Sequence, residues 1–510
     1  MKKNILSVIG ACFVLIAFNA CNKKLELSPV SSYSDASFWK SPDQVDVFVS
    51  GIHINLRATT TQLVTLGEMR ADIFGTDPGS GASFTGESSQ GLERLWTNNL
   101  DLDNPGVSGY GNFYFNINQI NLLISKIETV PSMVPATKQY YLGIAYGMRA
   151  FYYFHLLRSW GKVIIQTEPT VNINISELAK AASGEDSVMA LIKSDIESSL
   201  SSYGTDYSFK NDKGLWSKAA TLMLKAEVYL WTSHRGGGTT DATTAKNALS
   251  EIQTNIPALA LLPNYANVFA SSNKANSEII FALKNKLDEA QLPFANTFFP
   301  QSGLLANFYD SLGNRKFNVT TDNWGGLLRA PTKMAAYRAF SNQDSRKWAS
   351  IQGGYNLVGG VYQLAGAFAN KYQGEQNAGV RQFTNDFPIY RYADLLLLLA
   401  EAKVALGENP ATEINTVRSR AFGANYNAGT TGYPNQPVDA DPRESILQER
   451  FYEFILEGKR WYDLRRMGDA YVYAYTNIAS TESYKLLWPV DRNTLTNNRL
   501  LTQTPGYSQY

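Results

Sequence analysis

The chain has 510 residues with a formal net charge of +1 at pH 7, and 18% of its residues are charged whereas 12% are aromatic. A nearly neutral chain lacks the basic footprint of nucleic-acid-binding proteins, so we expect no nucleic-acid partner. Two cysteines and three histidines are too few for a disulfide framework or an obvious metal site. The composition favours neutral partners that have apolar faces.

The first twenty residues have the pattern of an export signal. Two lysines precede an apolar stretch from Ile5 to Phe18, which is too short to span a bilayer because a spanning helix takes about 20 residues. The sequence Phe-Asn-Ala-Cys then ends at Cys21 and resembles a bacterial lipobox, in which the cysteine is acylated. We predict a signal peptide at 1–20 and a lipidated tether at 21–40, the alternative being an ordinary signal peptide with an incidental cysteine.

Helical periodicity predicts most of the elements that follow. Ser41-Pro42-Asp43 is typical of a helix start, and Val45 and Val49 follow at helical spacing. We expect further helices at about 112–128, 138–159, 185–202, 215–232, 243–254, 391–407 and 411–421, and one that begins at Asp441.

Three of these helices share a pattern. The segments "RAFYYFHLLRSWG" (149–161), "KAEVYLWTSHRG" (225–236) and "LAEAKVALGENP" (399–410) each carry a central Ala and a Gly after the last turn. Helix pairs of this kind stack as tetratricopeptide-like repeats. A mostly α fold with a tetratricopeptide-like α-α superhelix as scaffold would explain the pattern, but the segments are irregular and separated by long insertions, so periodicity alone does not decide it.

Long insertions separate the predicted helices. The segments 70–111, 232–243, 258–390 and 422–440 are rich in Gly, Asn, Ser, Thr and Pro. Loops of this length are usually functional or disordered, and their many aromatic residues argue against disorder. We therefore predict that the loops at about 70–111 and 258–390 bind the ligand.

Six segments, in this order, resemble the SusD/RagB family of surface lipoproteins. They are "SYSDASFWKSPDQVDVFVSG" (32–51), "GMRAFYYFHLLRSWGKV" (147–163), "FPIYRYADLLLLLAEAKVALG" (387–407), "INTVRSRA" (414–421), "ERFYEFILEGKRWYDLRRMG" (449–468) and "LWPVDRNTLTNNRLLTQTPGY" (487–507). The resemblance runs from Cys21 to Tyr507, nearly the whole chain.

The resemblance implies a single SusD-like domain at 41–510, mostly helical with tetratricopeptide-like repeats. Family members sit outside the outer membrane on a lipid tether and most often bind glycans. They cover a SusC-like TonB-dependent transporter as a lid and pass the ligand inward. Three alternatives stay open: an oligopeptide-binding lid as in the RagB branch, a glycoside hydrolase, and a passive lid without affinity of its own.

No catalytic motif stands out in the sequence. The three histidines are scattered, neither H-E-x-x-H nor G-x-S-x-G occurs, and His155 among apolar neighbours is typical of a satisfied core histidine. Glu449, Glu453 and Glu457 fall on one predicted helical face, which favours a solvated or ion-paired surface over a glycosidase pair. We expect no catalytic residue, no metal and no cofactor.

Nine tryptophans are candidates for a sugar-binding platform. Packing is the better interpretation for the six on helices or in terminal motifs: Trp39, Trp160, Trp216, Trp231, Trp461 and Trp488. Three remain in the insertions, Trp96, Trp324 and Trp348, of which Trp348 has helix-like neighbours and the weaker case.

Two loops place a tryptophan beside short polar side chains. Trp96 is followed by Asn98 and Asn99, and Trp324 follows Asn323 in "TDNWGG". Sugars pack their C–H faces on aromatic rings while their hydroxyls need polar partners. We predict that both indoles stack on a sugar and that the asparagines bond its hydroxyls, the alternative for each indole being a buried loop anchor.

Four further residues are secondary candidates. Tyr355 and Tyr362 lie in the Gly-rich run "GGYNLVGGVYQ" and offer further stacking rings. Arg70 and Asp72 open the first long loop and are predicted to supply hydrogen bonds, with an internal ion pair as the alternative.

Overall fold

The structure of the protein is a computed structural model that describes residues 38–76, 89–107, 110–171, 179–310 and 315–510. The predicted signal peptide and the predicted acylation site Cys21 lie outside the described residues. Within the ranges above, no helix has the length and apolar character needed to cross a membrane.

Helices dominate the described chain, as the periodicity predicts. They are α1 (Pro42–Ala58), α2 (Thr60–Glu68), α3 (Glu93–Trp96), α4 (Tyr110–Lys126), α5 (Pro135–Trp160), α6 (Glu185–Tyr203), α7 (Lys218–Thr232), α8 (Gly238–Asn255), α9 (Ala295–Phe298), α10 (Ser302–Leu305), α11 (Met334–Ala339), α12 (Ser345–Ser350), α13 (Tyr392–Ala405), α14 (Ala411–Phe422), α15 (Pro442–Glu453), α16 (Arg460–Met467), α17 (Asp469–Tyr475) and α18 (Arg492–Asn497). The mostly α fold class is confirmed.

Local signals explain where several helices begin and end. Ser41 precedes Pro42 at the start of α1, and its backbone N–H donates to the side chain of Gln44 at 3.2 Å. The glycines predicted to end the three similar helices all have positive φ: Gly161 at 73°, Gly236 at 106° and Gly407 at 72°.

Neighbouring helices stack on one another along the chain. The successive pairs α5–α6, α7–α8 and α13–α14 are in contact, and α8 also packs on α13. A single cluster of buried apolar side chains runs through these layers, from Trp39 near the first helix to Tyr507 near the last residue. The stacked pairs therefore share one core rather than several separate ones.

The insertion predicted as a loop at 258–390 contains most of the strands, which corrects that expectation. The strands of the described chain are β1 (Ile279–Leu283), β2 (Tyr309–Asp310), β3 (Ile351–Val358), β4 (Val361–Ala369), β5 (Glu375–Asn377), β6 (Val380–Gln382) and β7 (Phe387–Arg391). β1 pairs with β7, β5 pairs with β6, and β2, β3 and β4 form an antiparallel three-stranded sheet. Gly359 and Gly360, with φ of 59° and 82°, form the two-residue turn between β3 and β4.

The two predicted ligand loops meet at the edge of this three-stranded sheet. Thr332 forms an isolated β-bridge with Ala367 of β4, and Phe74 of the first long loop forms a bridge with Thr332. The backbone N–H of Gly75 also donates to the carbonyl oxygen of Pro331 at 2.8 Å. Segments that are more than 200 residues apart in sequence therefore form one continuous surface.

A buried network of ion pairs joins β7 to the C-terminal helices. Arg391, fully buried, donates to Glu278 and Glu457 and to Glu453, the last at 2.6 Å. Burial alone would raise the pKa of Glu453, but the surrounding arginines lower it well below its ordinary value. α15 ends at Glu453, so Glu457 does not share its helical face, and these carboxylates are ion-paired rather than solvated.

Candidate functional site

Three tyrosines come together on one face of the three-stranded sheet, and we name Tyr309, Tyr355 and Tyr362 the tyrosine face. Tyr309 of β2 lies directly opposite Tyr355 of β3 in the antiparallel register. The rings of Tyr309 and Tyr362 meet edge to face with centroids 5.4 Å apart. All three side chains are half-buried, so each ring is held by its neighbours and still exposes part of its surface.

The tyrosine face has a firm base. The hydroxyl of Tyr355 donates to the hydroxyl of Tyr337 at 3.0 Å, and Tyr337 belongs to α11 and is buried. A Cβ added at Gly353 would lie 3.0 Å from both the Tyr337 and Tyr355 rings, so glycine leaves the room that these rings occupy. The ammonium of Lys347 lies 4.3 Å from the centre of the Tyr337 ring and supports it from α12.

The tip of the β3–β4 hairpin extends the tyrosine face outward. Leu357 lies opposite Tyr362 in the register, on the same side of the sheet as the tyrosines, and is 45% exposed. Asn356 and Gln363 are also exposed and lie opposite each other, but alternation along the strands places their side chains on the other side of the sheet. The hairpin tip therefore adds an aliphatic group to the tyrosine face.

Trp324 takes the buried-anchor alternative. Its side chain is 7% exposed and packs against Phe299 and Phe368, at centroid distances of 5.2 and 5.6 Å. The guanidinium of Arg381 lies 4.4 Å from its ring centre. This burial corrects the expectation of an accessible stacking surface at Trp324, because aromatic and cationic groups already occupy the surroundings of the ring.

Trp96 is likewise a buried anchor. Its side chain is 8% exposed and lies so close to Gly75 that a Cβ there would come within 2.5 Å of the indole Cγ. Gly75 has a φ of 113°, which L side chains rarely adopt. The expectation of an accessible ring is corrected here too, since Trp96 fixes the first long loop and does not present an open face.

Arg70 and Asn98 form an internal polar cluster instead of a ligand contact. Arg70 is fully buried between the rings of Trp461 and Trp488, and its Nε donates to Asn98 Oδ1 at 2.8 Å. The amide of Asn98 in turn donates to Asn477 at 2.8 Å. Burial lowers the pKa of Arg70 to about 10, and its N–H groups also bond carbonyl oxygens near the C-terminus. These side chains tie the first loop to the last segment of the chain.

The remaining predicted residues divide into one internal pair and two accessible amides. Asp72 makes the internal ion pair, accepting two hydrogen bonds from Arg460 at 2.9 and 2.8 Å. Asn99 is exposed, and Asn323 is half-buried with its Oδ1 accepting from Ser302 at 3.3 Å. Contact of Asn99 and Asn323 with a ligand stays a prediction.

The sequence predicts Tyr355 and Tyr362 as candidates but not Tyr309, which lies opposite Tyr355 and contacts the ring of Tyr362. Tyr309 lies in a two-residue strand, which is too short to give a periodic signal. A stronger signal was present nearby, because β-branched and aromatic residues flank the Gly359-Gly360 pair on both sides. That pattern is typical of a hairpin with a two-residue turn.

Two carboxylates, those of Asp310 and Asp322, are paired with the same arginine. Asp310 and Asp322 lie 3.0 and 2.7 Å from nitrogen atoms of Arg315. Burial alone would raise the pKa of Asp322, but the hydrogen bonds from Arg315 lower it below its ordinary value. A glycosidase needs a carboxyl with a raised pKa as its general acid, and Asp322 has the opposite shift.

Two of the three histidines are buried, and His234 is half-buried. His53 Nδ1 donates to the carbonyl oxygen of Val49 at 2.7 Å while its Nε2 accepts from the N–H of Trp216, and burial lowers its pKa to about 4. His155 is buried beside Arg158, as expected for a core histidine. Among the described residues there is no group of three or more His, Cys, Asp or Glu side chains placed to hold a metal ion.

Comparisons with known proteins, by family model, by sequence and by structure, all find SusD-like proteins. The model of the SusD family matches residues 305–507. The solved structure of NanU from B. fragilis is 44% identical, covers 94% of this chain and 100% of its own, and superposes with a TM-score of 0.87. A SusD-like protein of Formosa agariphila is 27% identical over 99% of both chains. The starch-binding protein SusD of Bacteroides thetaiotaomicron is 22% identical over 96% of both chains.

Proposed function

The chain belongs to the SusD family, and from this premise we propose that it binds oligosaccharides or polysaccharides at the cell surface. The observation that carries the proposal is the tyrosine face, in which Tyr309, Tyr355 and Tyr362 are half-exposed on a supported sheet. A partly open aromatic surface packs against the C–H face of a sugar, and a supported one loses little conformational entropy on binding.

Specificity in this proposal comes from amide side chains around the rings. Asn99 and Asn323 on the adjoining loops would bond sugar hydroxyls, since the side chains of Asn356 and Gln363 lie on the other side of the sheet. Trp96, Trp324, Arg70, Asp72 and Asn98 act indirectly, because they hold the loops in place. One curated relative is named as a starch-binding protein, which supports a polysaccharide ligand for this chain as well.

We further propose how the protein is placed in the cell. Cys21 would carry acyl chains that anchor the mature chain to the outer membrane, facing the exterior, and more than one chain is needed for firm anchoring. Residues 41–510 would act as one domain that covers a SusC-like TonB-dependent transporter and hands over the saccharide. Two measurements on the full chain test the anchor. We expect its processing to be sensitive to globomycin, and we expect Cys21→Ser to abolish its acylation.

Calorimetry against a panel of oligosaccharides and oligopeptides tests the binding proposal. We expect saturable binding of one saccharide class, with affinity reduced at least tenfold when Tyr355→Ala and Tyr362→Ala are combined. Tyr473→Ala, at a half-buried tyrosine of α17, is the matched control and should bind as the parent does.

Three results would contradict the proposal. Binding of peptides in place of saccharides would favour an oligopeptide lid. Chromatographic detection of shortened saccharides after incubation would favour a glycoside hydrolase. Saccharide binding that the double tyrosine variant leaves unchanged would place the site elsewhere on the molecule.

A further inference from the structure

A surface groove of about 500 Å³ lies where α1, α2 and α4 meet, on elements other than those of the tyrosine face. All three helices contribute lining residues, among them Asn55 and Ala58 of α1, Thr61 of α2, and Asn112 and Phe115 of α4. We name it the amide groove. Its size is within the usual range for sites that bind small molecules.

The amide groove is lined without charge. None of its described lining residues is Asp, Glu, Lys, Arg or His; they are four amides (Asn55, Gln62, Asn112 and Asn116), three threonines and small or apolar residues. A phosphate or carboxylate would find no cation there, and a metal ion would find no carboxylate. A neutral ligand with many hydroxyl groups matches amide and hydroxyl side chains, which can donate and accept.

Phe115 gives the amide groove an aromatic surface. Its side chain is 58% exposed, although α4 buries Phe113 and Ile117 in the core with no exposure. Phe115 therefore contributes little to the packing of α4. Its open ring lies beside amides, so a stacking surface and hydrogen-bonding groups occur together in the groove.

Several polar groups in the groove have no partner among the described residues. The side chains of Asn55, Thr61 and Asn112 make no hydrogen bond with any described residue. Deeper, the Asn116 side chain is 5% exposed and interacts with the buried hydroxyl of Tyr152. The unpartnered amides and the hydroxyl of Thr61 therefore lie in the outer part of the groove, where they can bond a ligand.

From these observations we infer that the amide groove is a second saccharide-binding subsite for neutral sugars. A sugar ring would stack on Phe115, and its hydroxyls would bond the amides of Asn55 and Asn112. The ligand class in this inference rests on the proposed function, whereas the position of the groove does not. Two subsites on one chain would let a long saccharide bind at both, with a gain in avidity over either alone.

A fluorine label in the full chain tests this directly. Phe115→4-fluorophenylalanine reports the amide groove by ¹⁹F NMR, and Tyr362→4-fluorophenylalanine in a second preparation reports the tyrosine face. The probes are maltohexaose, laminarihexaose, cellohexaose and mannohexaose. We expect a saturable shift at position 115 with at least one of them, weakened about tenfold by Asn112→Ala combined with Asn55→Ala.

Val47→4-fluorophenylalanine is the matched control, because Val47 is 66% exposed on α1 and lies outside the groove. An equal shift at position 47, or no shift at position 115 with any of the four probes, would overturn the inference. So would a response at 115 to oligopeptides alone. A saturable shift at position 362 without one at position 115 would overturn the second subsite and leave the proposed function standing. A shift at position 115 without one at position 362 would overturn only the assignment of binding to the tyrosine face.

Discussion

The buried ion-pair network and the tyrosine face satisfy their polar groups in opposite ways. In the network, Arg391 reaches Glu278, Glu453 and Glu457 with all four side chains fully enclosed. On the tyrosine face, hydroxyl-bearing rings are half-exposed, and the Tyr355 hydroxyl donates to that of the buried Tyr337. The scaffold keeps its strongest polar interactions internal, and the sheet presents weaker and neutral ones to solvent.

The difference separates what holds the fold from what meets a ligand. A buried charge that loses its partner is costly, so the network tolerates little change. A half-buried aromatic ring that loses its hydroxyl or its bulk costs less, and its exposed surface remains free to contact a ligand. We therefore expect changes in the network to lower stability and changes on the tyrosine face to lower binding.

The largest effect should come from Arg391→Met. Removing this guanidinium leaves three buried carboxylates short of a partner, and we expect a loss of about 3–5 kcal/mol in the free energy of unfolding. Urea denaturation measures it. Lys246→Met, which removes the half-exposed pair with Glu408, is the control and should change stability by less than about 1 kcal/mol. Equal losses in the two variants would contradict the distinction.

A pH effect should follow from Glu68. Its carboxylate accepts from the backbone N–H groups of Leu456 and Gly458, yet burial raises its pKa to about 8. Because the pKa of Glu68 is higher in the folded state than in the unfolded state, its contribution to stability is complete below the unfolded pKa and is lost as pH rises through about 8. Relative to Glu68→Gln, we expect parent stability to fall by about 1.4 kcal/mol per pH unit between roughly pH 5 and 8. If the urea midpoints of the parent and of Glu68→Gln change in parallel across this pH range, the raised pKa of Glu68 is refuted.

The Trp96 anchor predicts a smaller loss for Gly75→Ala. The new Cβ would lie 2.5 Å from the indole of Trp96, and the alanine would have to adopt the native φ of 113°. Gly91→Ala controls for the backbone strain, since Gly91 has a φ of 92° and a Cβ there would meet no described atom within 4 Å. We expect thermal unfolding to show an additional loss of about 1–3 kcal/mol for Gly75→Ala. Equal losses would mean that Trp96 is free to move.

The smallest stability effect should come from Tyr355→Phe. The change removes the hydrogen bond to Tyr337 and keeps the ring, so we expect a loss of about 0.5–1.5 kcal/mol in unfolding free energy. Saccharide affinity should change by less than in Tyr355→Ala, because stacking uses the ring. Calorimetry of the two variants side by side measures both affinities. A larger affinity loss in Tyr355→Phe than in Tyr355→Ala would assign binding to the hydroxyl.

Much of the helical scaffold could be predicted from the sequence because its signals are local. The Ser41-Pro42 start and the glycines that end the similar helices involve residues a few positions apart. The network could not be found in this way. Arg391 and Glu453 are 62 residues apart, and a charged residue is ordinarily expected to face solvent.

The candidate site was predictable only in part. Tyr355 and Tyr362 belong to one hairpin whose turn can be recognised from the sequence, and the structure brings them together. The burial of Trp96 and Trp324 depends on residues far along the chain, Gly75 for one and Phe299 and Phe368 for the other. Composition alone does not distinguish an indole that anchors a loop from one that contacts a ligand.

A crystal structure of the protein with the tightest-binding saccharide of the panel decides where the ligand contacts the molecule. We predict a sugar ring within about 4 Å of the rings of Tyr355 and Tyr362, with its hydroxyls bonded to neighbouring amides and with Trp96 and Trp324 still buried. A saccharide stacked on Trp96 or Trp324 after movement of their loops, with the tyrosine face empty, would contradict this assignment.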